Sequence, residues 1–126
     1  MNKILKMIVA VPAILFLVIG LRWLLAPAGV AGEFGMPLLD GLGRSTQIGD
    51  LAAFFIGGGT MMLLGVLTQN KTWFLAPALL LALTAVFRVL AWALHDASFA
   101  ATQIAVEVVV AGLLVYAASR SAESRA

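Results

Sequence analysis

Four apolar runs occupy most of this 126-residue chain, at positions 4–25, 45–67, 73–94 and 99–119. Each is long enough, at about 1.5 Å per helical residue, to cross a hydrocarbon core of ~30 Å. A helix satisfies its own backbone donors and acceptors, which is the condition for crossing lipid. The runs therefore predict an all-α fold: an integral membrane four-helix bundle, up-down in connectivity, with residues 1–126 forming a single transmembrane domain. The chain is 63% hydrophobic and only 11% charged, which excludes an ordinary soluble globule carrying nearer a quarter of charged residues.

The connections differ in kind. Two are short turns, whereas 26–43 form a long outer loop punctuated by Pro27, Gly29, Gly32, Gly35, Pro37, Gly41 and Gly43. Phe34, Met36, Leu38, Leu39 and Leu42 bias that loop toward the membrane interface, and its length suits a lid. Ser45 or Thr46 is the expected N-cap of the second span. Pro12 should kink the first span, and Arg22-Trp23 near its end reads as an interfacial anchor. Gly49, Ala53, Gly57 and Gly65 recur along one helix face and predict close packing inside the bundle, ahead of a dimerisation motif.

Lys3 and Lys6 before an apolar stretch have the look of a secretory signal, with Ala26-Pro27-Ala28 as its cleavage site. That stretch is longer than a signal core, so a retained first helix is expected. With four spans, Lys3, Lys6, Lys71, Arg120 and Arg125 fall on one side, facing Arg44, Glu33, Asp40 and Asp96 on the other. The excess of basic residues then puts both termini in the cytoplasm.

Ionisable groups inside spans are costly and call for a reason. Here they are Arg22, Asp50, Arg88 and Glu107, one per span. Arg88 and Glu107 flank the break at 94–98 at equal separation, so a hairpin folded there puts both at one depth, about two turns or ~10 Å from its tip. Helical spacing adds Gln47 beside Asp50, Thr84 and His95 in line with Arg88, and Gln103 one turn from Glu107. One charge at a helix centre costs ~2.5–3.5 kcal/mol, and each large apolar residue returns only ~0.3–0.6. The charges are thus expected to meet inside the outer half of the bundle, Arg88 with Glu107 and Arg22 with Asp50. Such a cluster can be a static network that fixes helix register, or a pocket or relay opening beneath the outer loop.

Other chemistry is scarce. The absence of cysteine removes disulfides, thiol redox chemistry, thiolate zinc sites and iron–sulfur clusters. His95 lacks companions at metal-ligand spacing, so no metal site and no cofactors are expected. Met61-Met62 reads as core packing, Gly57-Gly58-Gly59 lies inside an apolar span without a following Lys-Ser, and no nucleophile–base set is visible. The net charge of +2 is small and dispersed, which speaks against a nucleic-acid partner.

Three segments, Asp50-Leu-Ala-Ala-Phe-Phe-Ile-Gly-Gly-Gly in the second span, Phe87-Arg88-Val-Leu in the third and Ala105-Val106-Glu107-Val108 in the fourth, give the chain a family likeness. In these features it resembles the DoxX-like small four-helix membrane proteins of bacteria, and especially an uncharacterised family known as a domain of unknown function. The resemblance implies an inner-membrane bundle with no established activity. Some relatives in the wider group are linked to thiosulfate or quinone oxidation, which this cysteine-free chain is not expected to share.

The leading expectation is a small non-enzymatic integral membrane protein, a homo-oligomer or an accessory subunit of a membrane complex, held by its charge-paired cluster and surrounded by membrane lipids. The alternative is transport, channel or binding activity toward a small anion, lipid head group, quinone or proton. A subunit of a membrane oxidoreductase comes last.

Overall fold

The computed structural model describes residues 1–122. Five helices follow one another: α1 (Lys3–Leu25), α2 (Pro27–Glu33), α3 (Gly41–Thr68), α4 (Thr72–His95) and α5 (Ala101–Arg120). There is no strand among the described residues. The four longer helices are long and apolar enough to cross a membrane.

Local chemistry sets the ends. Asn2 caps α1, its side-chain oxygen accepting from the Leu5 amide at 2.8 Å. The last turns of α3 and α4 close on Gln69 (φ 59°) and Asp96 (φ 55°), left-handed residues that terminate a helix and start a tight turn. The 26–43 connection departs from expectation in two ways. Pro27 occupies the first turn of α2, where its missing N–H costs nothing, so residues 27–33 of this loop are helical. α3 also begins about a turn early, with Asp40 rather than Ser45 or Thr46 at the N-cap position. Arg44 stabilises that extra turn by donating to the Leu39 carbonyl at 2.7 Å and to Asp40 Oδ1 at 3.2 Å.

Two cores divide the molecule. At the basal end, where α1 starts and α5 finishes, all four long helices contribute: Val9 and Ala13, Met62, Phe74 and Leu81, and Leu114 and Ala117. At the opposite end the core is built only by α1, α2 and α3. There Trp23, Val30, Ala31 and Phe55 pack with Phe16 and Phe34, whose rings meet Trp23 and Phe55 edge-on at centroid distances of 4.9–5.6 Å. The α4–α5 hairpin takes no part in this second core. The bundle is therefore closed at its base and parted between α3 and α4 above it.

Close approach depends on glycine, at Gly65 of the expected stripe and at Gly59 outside it. A Cβ on Gly59 would fall 2.7 Å from the Ala13 carbonyl oxygen, and one on Gly65 would fall 2.7 Å from the Phe74 ring. Gly49 and Gly57 meet nothing within 4 Å, and Ala53 is exposed. The reason is rotational: Phe55 and Met62 must face the two cores, which turns Gly59 and Gly65 inward and the 49/53/57 face outward. Gly59→Ala or Gly65→Ala should therefore cost about 1–3 kcal/mol through overpacking. Gly49→Ala or Gly57→Ala should be neutral or gain up to ~1 kcal/mol from helix propensity. Thermal unfolding in detergent, followed by circular dichroism, checks the contrast.

Candidate functional site

Arg88 projects from α4 and Glu107 from α5, across the hairpin that joins them. The Arg88 Nε–H donates to both carboxylate oxygens of Glu107, at 3.0 and 2.9 Å. The Glu107 side chain is 11% exposed and that of Arg88 is 34% exposed, so the carboxylate is the inner partner. This is the pairing that equal spacing about the turn predicts. Only Nε is used: the two terminal nitrogens of Arg88 make no hydrogen bond among the described residues. A guanidinium offers five donors in a planar fork, so most of its capacity is open.

Arg88 also borders a groove. It runs along α4 past Leu80, Leu83, Thr84, Phe87, Arg88 and Ala91, with Phe54 of α3 as its opposite wall. Its volume of about 540 Å³ is within the range of small-molecule sites. At the base α4 meets α3 closely, where Gly65 admits the Phe74 ring. A second hollow of about 250 Å³ at the basal end, bordered by Asn2, Tyr116 and Arg120, contains no buried ion pair among the described residues.

The remaining expected members of the polar cluster do not join this pair. Arg22 bonds Glu33 instead of Asp50, through both terminal nitrogens, with Nη1 to Oε1 at 3.3 Å. α2 folds back over the end of α1 and delivers Glu33 to it, and both side chains stay largely in solvent. Gln47 is buried but faces the loop. It accepts from the Leu39 amide at 3.0 Å and donates to the Pro37 carbonyl at 3.0 Å. Thr84 satisfies itself on the Leu80 carbonyl of its own helix at 2.7 Å. His95 and Gln103 are exposed. Asp50 is exposed too and makes no hydrogen bond or ion pair among the described residues.

Trp23 is fully buried beneath α2 rather than anchored at an interface, and its Nε1 has no partner. The loop that was expected to act as a lid covers α1 and α3, away from Arg88 and Glu107. No group of three or more potential metal ligands occurs among the described residues. Sequence reasoning missed Glu33, Phe54 and Phe87; only the i,i+1 position of Phe87 beside Arg88 hinted at a shared wall. No family model matches the chain, and no curated protein or solved structure matches it either.

The hydrogen bond from Arg22 holds the Glu33 carboxyl below the usual carboxylate range, with burial opposing it and the Arg22 charge adding a smaller push in the same direction as the bond. A lowered folded value means the contact contributes above the ordinary Glu pKa of about 4.3 and is lost as pH falls through the depressed value. α2 should therefore stay docked on Trp23 at pH 5 and loosen only below about pH 4.3. Tryptophan fluorescence should report this step in the parent and not in Glu33→Gln.

Proposed function

We propose that this is a small non-enzymatic membrane protein of the bacterial inner membrane whose α3–α4 groove binds an amphiphile drawn sideways from the bilayer. The head of that ligand is a hydrogen-bond acceptor, and Arg88 receives it. One observation carries the reading: Arg88 borders an open apolar groove and is tied by Nε alone, its terminal nitrogens making no hydrogen bond among the described residues. A wholly static network would have used those donors internally, since unmet donors in a low-dielectric setting are expensive.

Glu107 has a supporting role in this reading. It fixes the guanidinium plane and neutralises Arg88 when no ligand is bound, so α4 can remain in the membrane. The apolar wall of Leu80, Leu83 and Phe87 takes the tail. Nothing among the described residues adds a nucleophile–base pair to this geometry, and the DoxX-like resemblance implies the same architecture without an activity. Orientation with the basal end in the cytoplasm is supported by Lys3, Lys6, Lys71 and Arg120, which share that end.

Arg88→Lys keeps a cation for Glu107 but loses the planar fork, and should lower retention of a phosphate-headed amphiphile by about tenfold. Leu83→Trp, which fills the groove without touching the ion pair, should do the same. Native mass spectrometry with dodecyl phosphate against dodecyl maltoside as probes reads both. Equal retention in parent and variants would overturn the proposal.

A further inference from the structure

We propose that the groove's ligand is a phospholipid carrying both a phosphate and a primary ammonium, with the phosphate on Arg88 and the ammonium on Asp50. This rests on the amphiphile reading above and adds to it the head group and a second contact.

Asp50 makes no hydrogen bond or ion pair among the described residues, and three observations connect it with the groove. The first is helical position. Asp50 precedes Phe54 by four residues, so it shares the face of α3 that forms the groove's far wall, one turn above it. The second is register. Gly65 of α3 abuts Phe74 of α4. From there, equal steps away from the base reach Arg88 on α4 and Leu51 on α3, so Asp50 and Arg88 stand within about 1.5 Å of the same depth. The third is level. Gly20 of α1 abuts Ile56 of α3, and equal steps outward bring the last residue of α1, Leu25, level with Leu51. α1 is 23 residues, or about 35 Å at the helical rise, against a hydrocarbon core of ~30 Å. Asp50 and Arg88 therefore stand at one level in the outer half of the bundle, Arg88 on the groove and Asp50 one turn beyond its Phe54 wall.

Charge selects the head. Arg88 borders the groove with Glu107 bonded to it, and Asp50 lies one turn beyond the Phe54 wall, so one cation stands against two carboxylates. A purely anionic head would gain Arg88 but meet uncompensated Asp50. A zwitterion with a primary ammonium answers both, because its N–H groups donate to Asp50 while its phosphate accepts from the open nitrogens of Arg88. A quaternary ammonium has no N–H to give. Below the head, the groove continues from Arg88 to Leu80 for about 12 Å toward the bilayer middle, a path for the first part of an acyl chain. A second copy facing this groove could also offer Arg88 to Asp50, but two concave surfaces would leave a void between them, which favours a chain-like occupant.

The test is competition among phosphatidylethanolamine, phosphatidylglycerol and phosphatidylcholine for the full chain in detergent, read by native mass spectrometry. The parent should retain phosphatidylethanolamine about tenfold over the other two, and Asp50→Asn should abolish that preference while leaving phosphate binding intact. Arg88→Lys should weaken all three. If the parent holds phosphatidylglycerol as well as phosphatidylethanolamine and Asp50→Asn changes nothing, this inference fails and the amphiphile reading survives. If Arg88→Lys also changes nothing, both fail. A lipid-free dimer that Asp50→Asn dissociates would overturn the inference in favour of a protein partner. Asp50 is exposed and unbonded, so its substitution should not disturb folding.

Discussion

A guanidinium group on an otherwise apolar helix must bring its own counter-charge, and the contact between Arg88 and Glu107 meets that requirement. Glu107 cannot be separated from Arg88 cheaply, because its carboxylate is nearly enclosed. The pair fixes α4 on α5 well above the basal core, so the hairpin is held as a unit by apolar packing below and by charge above. Partial exposure of Arg88 places the contribution between that of surface pairs, at ~0–1 kcal/mol, and fully buried ones, where losing one partner costs ~3–5.

Because the hairpin is self-sufficient, it need not follow α3 along its whole length. The basal core binds all four long helices through small residues and Phe74, whereas the aromatic core of Trp23, Phe34 and Phe55 commits the upper part of α1 and α3 to α2. What remains is a groove between α3 and α4 with apolar walls and a charged rim. The function proposed follows from this division: α3 and α4, packed together at the base, border a lateral opening with Arg88 on its rim.

Much of the fold was legible in the sequence, since apolar run length alone determines the spans and the equal spacing of Arg88 and Glu107 about a turn determines their meeting. What was not legible traces to competition. Arg22 had two acids within reach, and the choice of Glu33 over Asp50 depended on a short helix hidden in a Gly- and Pro-rich segment; Pro27 at its first position was the available signal. The rotation of α3 was also hidden, because Gly57, Gly58 and Gly59 offer small residues on adjoining faces, and only the aromatic core decides which of them packs. Gln47 looked like a partner of Asp50 by spacing, yet the loop's own unpaired backbone groups claimed it.

A double-mutant cycle on the ion pair tests the central claim most directly. Glu107→Gln and Arg88→Met should each lower stability in detergent by about 2 kcal/mol by stranding the other group, while the variant carrying Met at both positions should recover to near the parent, a coupling of ~1–3 kcal/mol. A doubly substituted protein no more stable than either single variant would contradict the account.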